Sequence, residues 1–230
     1  MYKIDLHTHS TASPDGGINV AQYKKALESG VLDSIAITDH NRINVALQLH
    51  AEFGDRIIVG EEIMSIEGEI IGLFLSQPVQ PGQSAKVTMD AIKSQGGLVY
   101  IPHPFETVRK GLHPAVLESL VEQIDIVEVC NGRAFVQNKS EQALVWAKFN
   151  RLPGAASSDA HGLRGLGRTY TSIPELPTVS TLPGLLARGI PMTDRPSLRT
   201  LLYPKYHRLR KFTRQKFQRN LGGRIGRAHR

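Results

Sequence analysis

The sequence has 230 residues, 40% of them hydrophobic, enough for one full core, and no apolar run reaches the roughly 18 residues that cross a bilayer. A single cysteine, Cys130, excludes an intramolecular disulfide and a thiolate-rich zinc site, so any metal must be held by nitrogen and oxygen. The net charge of +7 averages two unlike segments: twelve of the 28 Lys and Arg lie in residues 195–230, which contain no Asp or Glu, whereas residues 1–194 hold 16 basic against 21 acidic groups.

The charge boundary suggests a catalytic domain at 1–194 and a basic, partly helical tail at 195–230. Such a tail suits a polyanion, whether RNA or DNA, an acidic protein surface or anionic lipid; a plain solvated terminus is the alternative. The start, MYKIDLHTHS, lacks the charged-then-apolar pattern of a signal peptide, and a cytoplasmic protein without a transmembrane segment is expected.

In chain order, β-rich runs at Lys3–Leu6, Ser34–Thr38, Ile57–Glu62, Glu69–Leu75, Leu98–Ile101, Ile124–Val129 and Gly154–Ser158 alternate with patterns of helical period. The helical patterns are Val20–Ser29, Ile43–Phe53, Val87–Gln95, Ala115–Glu122 and Lys139–Asn150. Past Pro204 a basic helix is predicted, with Tyr206, Leu209, Phe212 and Phe217 interspersed and a stop at Gly222-Gly223. Strand–helix alternation predicts an α/β fold with a parallel sheet; the pattern alone leaves a doubly wound sheet and a barrel both open.

In such folds functional groups gather at the C-terminal ends of strands. The first predicted strand ends in Asp5-Leu6-His7-Thr8-His9, whose i, i+2 histidines share a side and can chelate one ion. The second ends in Thr38-Asp39-His40-Asn41, the third in Gly60-Glu61-Glu62, the fifth in Pro102-His103-Pro104, and the seventh in Asp159-Ala160-His161. Imidazoles and carboxylates packed so densely are costly without a cation. His50, His113, His207 and His229 lie in helical, loop or tail contexts and carry no such expectation.

Taken in order, Asp-Leu-His7-Thr-His9-Ser, Ser-Pro-Asp15-Gly, Ile-Thr-Asp39-His40-Asn, Gly-Glu-Glu62-Ile, Ile-Pro-His103-Pro, Glu128-Val-Cys-Asn131-Gly132-Arg133 and Ser-Ser-Asp159-Ala-His161 resemble the polymerase-and-histidinol-phosphatase (PHP) family over residues 1–170. The resemblance implies a distorted (β/α)7 barrel, two or three divalent ions (Mn, Zn, Fe or Mg) and phosphoesterase activity. It further implies that His7, His9, Glu62 and Asp159 hold one ion, that Glu62 bridges to a second held by His103, and that Asp15, His40 and His161 hold a third. Where many members have a histidine beside the second ion this chain has Glu69, which as a ligand would favour Mn²⁺ or Mg²⁺ over Zn²⁺, and which could instead be a solvated turn residue. Glu61 competes with Glu62 for the bridge, and alternation along the strand together with the spacing the resemblance implies favours Glu62.

The expected reaction is hydrolysis of a small phosphomonoester or nucleotide by attack of a metal-bound hydroxide. Arg133, then Arg164 and Arg168, are the candidate phosphate clamps, and Asp39 the candidate that orients its neighbours. Cys130 lacks a histidine in its motif to activate it as a nucleophile. Alternatives are a nuclease or oligonucleotide 5′-phosphate hydrolase that holds nucleic acid on the tail, and a non-catalytic metal-binding module.

Overall fold

The computed structural model describes residues 1–135, 137–194 and 198–213. Nine strands form one sheet: β1 (Tyr2–Asp5), β2 (Ser34–Ile37), β3 (Ile57–Met64), β4 (Glu69–Leu73), β5 (Leu98–Ile101), β6 (Ile126–Asn131), β7 (Gly154–Ser157), β8 (Thr169–Ile173) and β9 (Ile190–Thr193), in the spatial order 7-6-5-4-3-2-1-8-9. The helices are α1 (Val20–Glu28), α2 (Asn44–Phe53), α3 (Ala85–Ser94), α4 (Pro114–Ser119), α5 (Ser140–Phe149), α6 (Leu182–Ala187) and α7 (Leu198–Leu201), and residues 203–213 are again helical. Local signals start several of them: Asn19 and Gln22 form a capping box on α1, and Ser84 accepts from Val87 N at the start of α3.

The period-2 alternation of the strands sorts their residues into two apolar layers. Ile35, Ile37, Ile57, Val59, Val99 and Val127 face the helices, where Tyr23, Leu27, Leu49, Met89, Ile92 and Leu117 cover them. Ala36, Ile58, Tyr100 and Ile126 face the interior with Ile4, Leu6 and Ala155. Leu182, Leu185 and Leu186 of α6 join this interior cluster and stopper the end opposite the mouth.

The sheet curls into a nearly closed barrel. Past the ends of β1 and β7, Thr8 bridges Ala160, with His9 N donating to Ala160 O at 2.9 Å. Lower down β8 fills the seam: it pairs antiparallel with β1, and Thr171 Oγ1 accepts from Ala156 N of β7 at 2.8 Å. Two departures from the expected alternation matter. β4 runs antiparallel to both β3 and β5, because a turn through Ser65–Gly68 is too short for the crossover helix a parallel pair requires. The strands β8 and β9, which lie beyond the last expected one, form an antiparallel extension. In the tail, Phe217 and Gly222-Gly223 lie outside the described residues. Among the described residues no helix is long and apolar enough to cross a membrane.

Ile58 is 1% exposed in the barrel interior. Ile58→Ala should lower unfolding free energy by about 2–5 kcal/mol, read as a fall in the urea midpoint at unchanged slope.

Candidate metal centre

The barrel mouth is assembled by backbone pairing as much as by side chains. His40 bridges Glu62, with Asn41 N donating to Glu62 O at 3.0 Å and Glu62 N to Asp39 O at 3.2 Å. That pairing sets the motif after β2 directly against the end of β3. Parity then separates the two glutamates of β3. Glu62 has the inward phase of Ile58, whereas Glu61 has the outward phase of Ile57 and Val59, and its Oε2 accepts from Val79 N at 2.8 Å. Because β4 runs backwards, its first residue, Glu69, stands at the mouth, 93% buried.

Four side chains define the centre. His7 Nε2 lies 3.1 Å from His9 Nε2, 3.5 Å from Glu62 Oε1 and 3.6 Å from Asp159 Oδ1. His9 Nε2 lies 3.3 Å from Glu62 Oε2 and 3.4 Å from Asp159 Oδ1. On one flank His103 Nε2 sits 3.1 Å from Glu62 Oε1 and 3.7 Å from Glu69 Oε2. On the other, Asp15 Oδ1 faces His40 Nε2 at 3.6 Å and His161 Nε2 at 3.5 Å. His40 is two-faced: its Nδ1 lies 3.2 Å from Glu62 Oε2 and 3.8 Å from Glu69 Oε1. Backbone strain accompanies this packing, since His103 (φ 30°) and Asp159 (φ 50°) both occupy the left-handed region.

These residues suit divalent ions. The donors are all nitrogen and oxygen, and metal bonds of about 2.0–2.2 Å put neighbouring ligands about 3–3.5 Å apart. His7 Nδ1 lies 3.1 Å from Glu128 Oε1, a carboxylate that can only accept, so Nδ1 carries a proton and Nε2 is the nitrogen turned toward His9 and the shared point. Asp15 Oδ1 is buried without a hydrogen-bond partner among the described residues. Groups of three or four ligand atoms close enough to share an ion are His7, His9 and Asp159; His7, Glu62 and His103; His40, Glu62 and Glu69; and His9, Asp15, His40 and His161.

The electrostatics carry the same strain. Burial is the largest single effect at each site, and it prevails at some and is overcome by charged neighbours at others. It pushes Glu69 up to about 9, with the Glu62 charge adding to the effect, and with the charge of His161 it drives His9 down to about 3. Against burial, Asp159, Glu62 and Glu128 hold His7 well above the usual imidazole range, while Arg133 and His7 hold Asp159 well below that of a carboxylate. Adjacent groups thus compete for too few protons, a competition that cations at the shared points would relieve.

Around the ligand atoms lies a supporting layer only partly foreseen. Glu128 is its hub: besides His7 Nδ1 it accepts from Tyr100 OH (3.1 Å), His103 N (2.7 Å) and Asn131 Nδ2 (2.8 Å). Asp39 points away from the cluster, its two oxygens accepting from Ser10 N (2.6 Å) and Ser10 Oγ (2.5 Å). Arg133 Nη1 donates to Asp159 Oδ2 at 3.2 Å. Arg109, which sequence reasoning missed, donates to Asp159 Oδ2 at 2.8 Å and Asn131 Oδ1 at 2.6 Å, and its fork clasps Glu106. The expectation fails for the other two arginines: Arg168 pairs with Asp194 on the surface, and Arg164 is exposed and does not line the cavity. The turn at 162–168 carries both toward β8 and away from the mouth. Cys130 is half-buried on β6 and also outside the lining. The cavity over the cluster, about 500 Å³, is rimmed by Arg109, Lys110, Arg133, Lys205 and Arg208.

Glu62→Gln should reduce the Mn²⁺ retained per chain after dialysis, measured by elemental mass spectrometry, and Glu61→Gln should leave it unchanged. Burial pushes the Glu61 carboxyl up to about 7 from an ordinary 4.5. A raised carboxyl binds a proton on folding, so its contribution to stability falls as pH rises between these values. Glu61→Gln should therefore raise the melting temperature more at pH 8 than at pH 5.

A family model described as PHP-associated matches residues 138–186. The uncharacterized protein MJ1587 of Methanocaldococcus jannaschii is 33% identical over 149 residues, covering 59% of this chain and 87% of that protein. MJ0417 of the same organism is 32% identical over 183 residues, covering 76% and 71%. Among solved structures, a two-domain protein from Bacteroides vulgatus containing a predicted PHP-like metal-dependent phosphoesterase superposes with a TM-score of 0.65 at 21% identity, covering 90% of this chain and 69% of that one.

Proposed function

This chain belongs to the PHP family, and on that premise we propose that it is a metal-dependent phosphoesterase that hydrolyses a small phosphomonoester or nucleotide. The observation that carries the reading is the convergence, within 3.1–3.6 Å, of nitrogen and oxygen ligand atoms from His7, His9, Glu62 and Asp159 beneath a cavity rimmed with cations. In this reading those four residues hold one ion, Glu62 also serves a second ion with His103 and Glu69, and Asp15, His40 and His161 hold a third. Divalent ions bound there supply a water deprotonated near neutral pH and offset the charge on phosphoryl oxygens. Glu69, an oxygen donor, favours Mn²⁺ or Mg²⁺ over Zn²⁺ in the second position.

The chain's own groups supply the rest. Arg133 has a buried Nε–H without an acceptor among the described residues, a donor suited to a phosphoryl oxygen at the cavity floor. Arg109 and Arg133 hold Asp159 from one side while Asn131 reaches it from another, which keeps that carboxylate turned toward His7 and His9. Glu128 fixes the tautomer of His7 and, through His103 N, the backbone beside a second ligand.

A nuclease or oligonucleotide 5′-phosphate hydrolase is a second reading, favoured by one observation. Lys205 and Arg208, from the basic segment after 194, extend the cationic rim beyond what a small phosphomonoester needs. Binding to a 5′-phosphorylated RNA should then weaken steeply and linearly in log–log form with added salt, whereas the affinity for a small phosphomonoester should change far less.

The primary test is phosphate release from p-nitrophenyl phosphate and a nucleotide panel. Chelated protein should be inactive and regain activity with Mn²⁺. His9→Ala and Asp159→Ala should each lower kcat by about 10³-fold or more. Full activity after metal stripping would sink the proposal.

A further inference from the structure

The helix at 203–213 returns to the mouth and grips a loop there without helix or strand, residues 11–17 between β1 and α1. Lys211 Nζ donates to the carbonyl oxygens of Thr11 (2.9 Å), Gly16 (3.0 Å) and Ser13, three acceptors for the three protons of an ammonium. One turn earlier, Arg208 Nη2 donates to Asp15 Oδ2 at 2.8 Å. That leaves Asp15 Oδ1, buried and without a hydrogen-bond partner among the described residues, facing His40 Nε2 and His161 Nε2.

Two glycines provide the seats for this helix. At Gly17 a Cβ would come within 2.2 Å of His207 Nε2, and at Gly162, beside His161, within 2.4 Å of the Tyr203 ring. The helix thus meets both edges of the third ligand group, and Lys205 and Arg208 also wall the cavity. The loop's backbone–backbone hydrogen bonds are Thr11 N to Ile18 O, Ser13 N to Ser10 O, and a long Gly16 N to Ser13 O at 3.4 Å. Its near end is also held by Ala12 N to Ser10 Oγ (3.0 Å) and His40 N to Ser13 Oγ (3.2 Å), which leaves the carbonyls of its far side to Lys211. Its carbonyls converge on the ammonium, so the loop's shape depends on a cation from a residue some 200 positions away.

We propose that Lys211 and Arg208 are positioning residues: the C-terminal helix clamps the 11–17 loop so that Asp15 Oδ1 stays aimed at the point it shares with His40 and His161, and the third cation site is complete only when this helix is docked. The proposal rests on the divalent-ion reading given above. Lys211 orders the backbone, and Arg208 occupies the outer oxygen of Asp15 so that the inner one remains available to an ion.

The test uses the full chain. Lys211→Met, which keeps the aliphatic stem, and Arg208→Ala are compared with wild type and with Arg210→Ala, an exposed position on the same helix. Amide hydrogen exchange of residues 11–17 is measured in metal-free protein, and bound Mn²⁺ per chain is counted by elemental mass spectrometry. Lys211→Met should exchange about tenfold faster in the loop without change elsewhere in the barrel. Both Lys211→Met and Arg208→Ala should retain fewer Mn²⁺ per chain, Arg208→Lys should restore part of the loss, and Arg210→Ala should match wild type. Loop exchange and Mn²⁺ content equal to wild type in both variants would overturn the clamp while leaving the metal centre standing. Wild-type protein that takes up no Mn²⁺ would overturn the metal reading, and this inference with it.

Discussion

Two imidazole nitrogens that face each other at 3.1 Å, walled by two carboxylates and closed off from water, hold together only by sharing a proton or a cation between them. Burying one unpaired carboxylate already costs several kcal/mol, and here Glu62, Glu69, Glu128 and Asp159 crowd together. Part of the charge is met by Arg109 and Arg133, and part by protons that the groups must share. The remainder is an unmet demand for positive charge at the points between His7, His9, Glu62 and Asp159. The mouth of the barrel is organised around that demand.

The barrel meets it with rigid parts. Glu62 and Glu128 stand in the phase of Ile58 and Ile126, so the same alternation that fills the interior with aliphatic side chains delivers carboxylates to the mouth where the strands end. The β6 register shifts between Glu128 and Cys130, a bulge that re-aims the strand just as it leaves the apolar interior. Glu128 then couples layers that would otherwise be independent, touching His7 of β1's extension, Tyr100 of β5 and the backbone of His103. Removing such a hub would disturb ligand orientation without removing a ligand.

Much of this was legible because it is local. Strand ends announce themselves by β-branched runs followed by polar motifs, and the seven barrel strands lie within a few residues of their expected bounds. Parity alone separates Glu62 from Glu61. What escaped was non-local. The standing of Glu69 at the mouth depends on β4 running backwards, which a hairpin turn dictates but an alternation pattern does not announce. Arg109 sits in a loop with no periodicity, so nothing in its neighbourhood marked it, whereas Arg164 and Arg168 drew attention by nearness in sequence to His161 and then followed the chain away. Residues 203–213 are helical, yet the seat of that helix on Gly17 and Gly162 leaves no signature in local composition.

The contact between Arg208 and Asp15 spans 193 positions of chain. During synthesis the N-terminal loop emerges long before its partner, and the barrel can assemble around an Asp15 segment that still lacks its fastener. Until residues 208 and 211 have been made, the 11–17 loop lacks the contacts that Arg208 and Lys211 give it, so the entrance is the part of the mouth that waits longest for its partners.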